Sequence, residues 1–393
     1  MFDFDKVTER RNTGSLKWDV KDGELPMWVA DMDFECAPEI KKALSARVSH
    51  GIFGYTDTND DWRHAYVNFW KRRHSFNMEG GKLLFCSGIV PAVASVIRCL
   101  TKKSDGVILM SPVYNIFFNL VKQNDREVVE SELRYDCRNH SYSIDFGDLE
   151  DKMKDDRNSL LILCNPQNPV GKIWQRNDLE KIGELAGKYN VKVISDEIHC
   201  DITAPGKSYI PFASVNEANL RNSVTCISPT KAFNLAGIQT SALYIHDDSM
   251  RKTVAVSLNI DNINEPNVFA VPAVVAAFDR SEDWLDGMRE YVFENRAIAE
   301  KYIKKHIPRI KAVEGDATYL MWVDIIREVL ADSKRFTAFL RANTGLFITP
   351  GAVYGKNAEN FVRINLACPR KTLLDGLERL KKGCELILMK KDA

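Results

Sequence analysis

The chain has 393 residues, more than a single hydrophobic core usually serves, so we expect two domains. Hydrophobic residues make up 45% of the chain and charged residues 27%, the proportions of a globular protein, and no stretch approaches the roughly 20 apolar residues of a membrane span. Lysine plus arginine equals aspartate plus glutamate at 54 each, so the composition predicts neither a nucleic-acid partner nor a membrane-surface partner.

The cysteines indicate a reducing compartment. There are nine, an odd number, scattered without a Cys-x-x-Cys pair, and Cys164 and Cys226 fall in apolar runs. This usage is typical of reduced core cysteines. Residues 1–5 contain no basic region followed by an apolar stretch, so we expect no secretory signal and a cytoplasmic protein.

The N-terminal part of the chain contains helical patterns. We assign residues 1–46 to an N-terminal arm and part of a small domain. Two amphipathic patterns lie between residues 36 and 74, and the second places five large or apolar residues on one face: Trp62, Ala65, Tyr66, Phe69 and Trp70.

Residues 47–280 predict a large α/β domain. Between about residues 80 and 245, short apolar runs alternate with helical patterns, as in a parallel sheet with helices on both faces. Between the predicted strands Ser159–Cys164 and Val191–Ser195, five residues at helical spacing predict a crossover helix: Leu179, Ile182, Leu185, Ala186 and Tyr189. The predicted strands are Gly106–Met110, Ser159–Cys164, Val191–Ser195, Ser223–Ile227 and Ser241–Ile245.

Residues 281–393 predict a smaller α+β domain, completed by the N-terminal arm. A long helical pattern begins near Glu282, and short strands are predicted at Thr318–Val323 and Phe361–Leu366. A last helix carries apolar residues on one face: Leu373, Leu377, Leu380, Cys384 and Ile387.

Three side chains near the ends of predicted strands match the needs of pyridoxal phosphate. They are Asn168, Asp196 and Lys231, in that order along the chain. A lysine amine closes a Schiff base with the cofactor aldehyde, a carboxylate keeps the pyridine nitrogen protonated, and an amide hydrogen-bonds the phenolic oxygen. Because ligands of open α/β sheets bind at the carboxyl ends of the strands, we expect these residues to meet there.

Each residue also has a structural interpretation. A lone lysine is usually a surface residue, but Lys231 lies in Ser228-Pro-Thr-Lys-Ala-Phe-Asn-Leu-Ala-Gly237 directly after a strand. Asp196 also fits a helix N-cap, and Asn168 an ordinary turn between two prolines. His199 fits a contact to the phenolic oxygen or to Asp196, and equally a satisfied core histidine.

Candidate phosphate ligands precede a helical pattern. Gly88, Ile89 and Val90 lie in Ser87-Gly-Ile-Val-Pro91, where Pro91 suits the first helical position and exposed N–H groups bind anions. The Ser228 hydroxyl, at a strand end, is a further candidate.

Two other candidates bear on the ring and the substrate. Tyr114 fits a residue stacked on a planar ring, although a lone tyrosine is more often part of the core. Arg363 is a charged residue within a strand pattern. Such a residue fits either bidentate binding of a substrate carboxylate or a structural ion pair.

Taken together, these segments resemble the fold-type I pyridoxal phosphate enzymes of the class I/II aminotransferase superfamily. The resemblance covers nearly the whole chain and narrows to the cystathionine β-lyase group of the MalY/PatB type, which includes cystalysin. The motifs that carry it are Trp28-Val-Ala-Asp-Met-Asp-Phe34, Gly51-Ile-Phe-Gly-Tyr-Thr56, Asp196-Glu-Ile-His-Cys-Asp201 and Ser228 to Gly237.

The resemblance implies a fold and a set of roles. The fold is a mostly parallel seven-stranded sheet between helices, with a smaller α+β domain and cis peptide bonds before Pro112 and Pro169. The catalytic residues would be Lys231, Asp196 and Tyr114, with Arg363 and Asn168 binding the substrate. The cofactor would be pyridoxal 5'-phosphate, held by Gly88, Ile89, Val90, Tyr114, Asn168, Asp196, His199, Ser228, Lys231 and, from the partner subunit of a homodimer, Tyr55.

Two positions depart from the usual aminotransferase pattern. Gln239 replaces an arginine that commonly neutralises the phosphate, and His199 replaces a tyrosine. Both substitutions agree with the lyase group. The resemblance therefore implies a carbon–sulfur β-lyase that converts an L-cysteine derivative to pyruvate, ammonia and a thiol. An aminotransferase, or a lyase with a second role in binding a regulatory protein, remains an alternative.

Overall fold

The computed structural model describes residues 2–325 and 332–392, in which strands and helices are interspersed along the chain. The strands are β1 (Leu25–Pro26), β2 (Leu83–Cys86), β3 (Gly106–Ser111), β4 (Glu127–Glu132), β5 (Arg134–Asp136), β6 (Ser141–Ser143), β7 (Asn158–Cys164), β8 (Lys192–Asp196), β9 (Ser223–Ile227), β10 (Ser241–Tyr244), β11 (Lys311–Ala312), β12 (Leu320–Asp324), β13 (Leu346–Phe347), β14 (Thr349–Pro350) and β15 (Phe361–Asn365).

The helices cover the sheets and link their strands. They are α1 (Pro38–His50), α2 (Asp60–His74), α3 (Ile89–Leu100), α4 (Ile116–Gln123), α5 (Phe146–Met153), α6 (Arg176–Lys188), α7 (Glu217–Arg221), α8 (Asp248–Ile260), α9 (Ala270–Arg280), α10 (Glu282–His306), α11 (Ser333–Thr344) and α12 (Arg370–Asp392). None of the helices in the described ranges is both long and apolar enough to cross a membrane.

A seven-stranded sheet forms the centre of the molecule, in the order β2-β10-β9-β8-β7-β3-β4. Six of these strands run in one direction, and β10 runs in the opposite direction. The predicted α/β class and mostly parallel sheet are therefore confirmed, and the five predicted strands agree within two residues at each end. The patterns did not predict the edge strands. Of these, β4 exposes or half-exposes most of its charged residues, and β2 is only four residues long.

The apolar run of β7 reflects burial on both faces of this sheet. Leu160 and Ile162 pack in a core with α3, α4 and α8, whereas Leu161 and Leu163 pack on the opposite face with α5 and α6. Alternate residues of a strand point to opposite faces, so a strand covered on both sides is apolar throughout. The predicted crossover helix is α6.

A smaller antiparallel sheet, β11-β12-β15-β14, packs with α10, α11 and α12. The predicted apolar face of α12 is buried, which confirms its orientation. The strand predicted from Thr318 instead begins at Leu320, because Thr318 has a left-handed φ of 67° that interrupts extended backbone. The N-terminal arm joins this part of the molecule, since β1 pairs in parallel with β13.

The predicted division into domains cuts through one helix. The boundary after residue 46 falls inside α1, which packs against α9 together with α2. The boundary after residue 280 coincides with the end of α9, where α10 begins two residues later. The three segments 1–46, 47–280 and 281–393 remain a prediction, and residues 1, 326–331 and 393 lie outside the described residues.

Candidate active site

The candidate site lies at the carboxyl edge of the central sheet. Asp196 ends β8, Asn165 follows β7, and Ser228 follows β9. A cavity of about 300 Å³ opens at this edge. It is lined by eight of the residues selected from the sequence: Gly88, Ile89, Val90, Tyr114, Asn168, Asp196, His199 and Lys231.

The loop that carries Lys231 is anchored in the core. Phe233 is fully buried and packs edge-on to Phe278, with ring centroids 6.0 Å apart. The Phe233 N–H donates to the carbonyl of Pro229 at 2.9 Å. These contacts direct Lys231 into the cavity, where its Nζ donates to the carbonyl oxygen of Ala30 at 2.7 Å.

Burial makes Lys231 easier to deprotonate than an ordinary lysine. Desolvation disfavours the ammonium form, and the Arg363 guanidinium repels it, so the pKa of Lys231 falls to about 8. The carboxylates of Asp31 and Asp196 oppose this shift. Near neutral pH the protein therefore holds a lysine with an accessible free-amine form.

The same desolvation shifts the pKa of Asp196 in the opposite direction, because the neutral form of a carboxyl is the protonated one. Burial raises the pKa of this carboxyl to about 6, although the N–H of Ile198 and the charge of Lys231 favour the ionised form. The Ile198 N–H donates to Asp196 Oδ1 at 3.3 Å. A cationic ring nitrogen placed beside Asp196 would lower the pKa of this carboxyl again, because it favours the carboxylate.

His199 is buried and neutral. Desolvation, followed by repulsion from Lys231 and Arg363, lowers its pKa to about 3. Its Nδ1 has no hydrogen-bond partner among the described residues. A buried polar atom without a partner is costly, so this nitrogen is available to a ligand.

Asn168 and Arg363 form a pair beside the cavity. Arg363 is a buried residue of β15, and its Nη1 donates to Asn168 Oδ1 at 3.2 Å while its Nη2 donates to the carbonyl of Trp28 at 3.1 Å. The Arg363 Nε is buried without a partner among the described residues. The guanidinium also lies 5.0 Å from the ring centroid of Tyr354, so the arginine is held in place and retains a free donor.

The backbone near Asn168 and Tyr114 contains the expected cis peptide bonds. They precede Pro112 and Pro169, as predicted, and a third cis bond precedes Pro166. Tyr114 is half-buried at the cavity, edge-on to Phe117 at 5.5 Å, and burial raises its pKa.

The N-terminus of α3 faces the same cavity. Gly88 precedes the helix, which begins at Ile89, so Pro91 occupies the third helical position instead of the first. Proline is tolerated there because the first-turn N–H groups have no partner within the helix. The N–H groups at this end can therefore bind an anion.

Three predicted residues do not line this cavity: Arg363, Ser228 and Tyr55. Arg363 instead contacts Asn168, which does line it. Ser228 is buried, and its Oγ donates to the carbonyl of Thr240 at 2.8 Å and contacts Thr230 Oγ1 at 2.8 Å. Tyr55 is fully exposed and lines a separate cavity of about 570 Å³. Gln239 lines both cavities, so the two are adjacent.

Several cavity residues were missed by the sequence reasoning. Thr230 and Thr240 line the cavity with hydroxyl groups, and Ala30 contributes the carbonyl that accepts from Lys231. The position of Thr230, between Ser228 and Lys231, was an available signal. Ala30 acts through its backbone, and a main-chain carbonyl leaves no residue-type signature.

Comparison with known proteins identifies the family. A model of the aminotransferase class I and II family matches residues 25–380. The chain belongs to this family. It is 39% identical to cystathionine beta-lyase PatB of Bacillus subtilis (strain 168), covering 96% of this chain and 98% of that protein. It is 30% identical to protein MalY of Escherichia coli (strain K12), covering 97% and 98%.

A solved structure agrees with this assignment. Cystalysin from Treponema denticola, whose crystal structure contains a pyridoxal 5'-phosphate cofactor, is 32% identical, with a TM-score of 0.95 over 98% of this chain and 100% of that chain. The MalY/PatB-type group predicted from the sequence motifs is thus confirmed, as is fold type I.

The residues at the cavity fit pyridoxal 5'-phosphate. An amine for the aldehyde, a carboxylate for the ring nitrogen and a helix N-terminus for the phosphate all line one cavity. His199 lines the cavity, and its buried Nδ1 has no partner in the described ranges, so a polar ligand would satisfy it.

The shifted pKa of Lys231 predicts a pH dependence of stability for cofactor-free protein. The unfolded lysine keeps its proton up to its usual pKa of 10.5, whereas the folded one loses it near pH 8. The unfolded state binds more protons between these values, so the free energy of unfolding should rise with pH across this window. Lys231→Met should be stabilising below about pH 8 and should lack this rise, as measured by urea unfolding.

The exposed Lys42, with 81% of its side chain accessible, provides the matched control. Lys42→Met should retain the rise seen in the unsubstituted protein. If the free energy of unfolding changed with pH in the same way for Lys231→Met and the unsubstituted protein, burial would not shift the pKa of Lys231.

Proposed function

We propose that this protein is a pyridoxal 5'-phosphate-dependent carbon–sulfur β-lyase. Its substrate is an L-cysteine derivative such as cystathionine, cystine or a cysteine S-conjugate, and its products are pyruvate, ammonia and a thiol. The observation that carries the proposal is the placement of Lys231 and Asp196 on one cavity at the sheet edge, with the amine pKa lowered to about 8. The name of the PatB relative, cystathionine beta-lyase, supports the reaction class.

Five residues are proposed to hold the cofactor ring. Lys231 bonds to its aldehyde carbon, and Asp196 keeps its pyridine nitrogen protonated. Asn168 and His199 contact its phenolic oxygen, and Tyr114 stacks on its face. The buried His199 Nδ1 supports this role, because a neutral imidazole can donate or accept one hydrogen bond there.

The phosphate is proposed to bind at the start of α3. The backbone groups of Gly88, Ile89 and Val90 favour an anion because they lie at the positive end of the helix dipole. Ser228 contributes a hydroxyl, which requires that it exchange its bond to the Thr240 carbonyl for one to phosphate. Tyr55 reaches the site from a second copy of the chain.

When bound, pyridoxal phosphate withdraws electrons from the α-carbon of an amino acid, which acidifies its proton and allows a group on the β-carbon to leave. Arg363 binds the substrate carboxylate, and Asn168 orients the guanidinium through its 3.2 Å hydrogen bond. Lys231, in its free-amine form, takes the Cα proton, and its lowered pKa makes that form accessible. The Cβ–S bond then breaks with its electron pair on sulfur, giving a thiolate.

The competing reaction in this family is transamination, which also begins with removal of the Cα proton. The lyase is favoured because Gln239 lines the phosphate end of the cavity, where aminotransferases commonly carry arginine, and because His199 replaces their tyrosine. We further propose that the protein acts in the cytoplasm, which agrees with its nine free cysteines.

A product assay tests this function. Purified protein supplied with cystathionine, cystine and S-alkyl cysteines should form pyruvate and the released sulfur product in equal amounts. That product is a thiol from cystathionine and S-alkyl cysteines, and a persulfide from cystine. Asp196→Ala should lower the rate by about 10²–10³, the usual loss on removal of a preorganised electrostatic partner. The exposed-residue control Asp22→Ala should retain the rate. Amino-group transfer to a keto acid without pyruvate or thiol would instead identify an aminotransferase.

A subunit-exchange experiment tests the shared site. Tyr55 is fully exposed, and the neighbouring Ile52 and Phe53 are exposed apolar residues, which supports a second copy covering this surface. Tyr55→Phe should bind the cofactor more weakly, and Lys231→Ala should be inactive. Mixed dimers should regain activity, because one site collects both substitutions and the other collects neither. No recovery after proven exchange would place Tyr55 outside the partner's site.

A further inference from the structure

The carbonyl oxygen of Ala30 accepts two hydrogen bonds. One comes from Lys231 Nζ at 2.7 Å, and the other from the hydroxyl of Tyr319 at 2.9 Å. Tyr319 is fully buried and lies edge-on to His199, with ring centroids 6.0 Å apart. Tyr319 thus lies directly behind the site and shares an acceptor with its lysine, although it does not line the cavity.

The backbone before Tyr319 adopts an unusual conformation. Thr318 has a φ of 67°, a left-handed value that is rare for a β-branched residue. The conformation is held by the Thr318 N–H, which donates to Ile202 at 2.7 Å, and by its Oγ1, which accepts from the Leu320 N–H at 3.1 Å. Such strain persists only where the surroundings enforce it, and it often marks a functional position.

The peptide groups around Ala30 are fixed independently. The Nδ2 of Asn365 donates to the carbonyls of Val29 and Asp31, both at 2.6 Å, and so brackets Ala30. The side chain of Asn234 bonds to Met32 and Phe34 farther along the same segment. The Ala30 carbonyl therefore has a defined direction.

We propose that Tyr319 is a positioning residue for the proton-transfer step at Lys231. By occupying one side of the Ala30 oxygen, its hydroxyl would restrict Lys231 Nζ to the other side whenever the lysine is present as a free amine. A neutral amine that donates one N–H to Ala30 then directs its lone pair away from that carbonyl, toward the substrate Cα. The inference rests on the proposed role of Lys231 but not on the identity of the leaving thiol.

The test uses a reaction without a leaving group. Cofactor-loaded protein should exchange the Cα proton of L-alanine with deuterium in D₂O, which proton NMR measures. Tyr319→Phe should lower the exchange rate about 10- to 100-fold, since a displacement of about 1 Å can cost roughly 10² in rate. The concentration of L-alanine for half-maximal exchange, the cofactor affinity and the melting temperature should stay near the unsubstituted values.

Two further variants sharpen the test. Tyr142→Phe is the matched control, because Tyr142 is also buried and its hydroxyl accepts from Trp322 Nε1 at 3.2 Å. It should exchange L-alanine at the unsubstituted rate. Asn365→Ala loosens the Ala30 peptide without altering Tyr319, and it should slow exchange in the same direction.

The outcomes separate this inference from the proposed function. Unchanged exchange by Tyr319→Phe, or an equal loss in Tyr142→Phe, would overturn the positioning role. Should Tyr319→Phe fail to fold, unchanged exchange by folded Asn365→Ala would overturn it instead. Slowed exchange in Tyr319→Phe and Asn365→Ala would support the positioning role, whether or not a thiol is released. Absence of thiol release from every cysteine derivative would overturn only the lyase assignment. No exchange by the unsubstituted protein would overturn the positioning role, whereas the product assay alone decides the lyase assignment.

Discussion

Exclusion of water from the carboxyl edge of the central sheet governs the chemistry of this protein. Desolvation moves each titratable group toward its neutral form, raising the pKa of Asp196 to about 6 and lowering those of Lys231 and His199 to about 8 and 3. The pKa values of the Asp196 carboxyl and the Lys231 amine are thereby brought close to neutral pH. The parallel strands make this possible, because helices on both faces bury the strand ends that carry these side chains.

The same burial requires that polar groups near the site find partners. Residues 28–34 meet much of this requirement, since their carbonyls accept hydrogen bonds from Arg363, Lys231 and Asn365. This segment connects the lysine loop of the large sheet with β15 of the smaller one. An ordered N-terminal segment is thus part of the site, although it lies far from Lys231 in sequence.

The sequence allowed prediction of those parts of the site that depend on side-chain type at strand ends. Asn168, Asp196 and Lys231 meet because carboxyl ends of neighbouring parallel strands share an edge. Tyr319 gave no comparable signal, because its placement depends on the left-handed backbone of Thr318. Ala30 contributes only a carbonyl, and the role proposed for Tyr55 would require a second chain. Strand β4 was not predicted, because its charged residues interrupt the apolar run by which the other strands were recognised.

The central claim is that Lys231 is the residue that bonds to the cofactor, and reductive trapping tests it most directly. Purified protein should be yellow, borohydride should bleach that colour, and peptide mapping by mass spectrometry should find the reduced cofactor adduct on Lys231. An adduct on any other lysine, or a colour that borohydride leaves unchanged, would contradict the account.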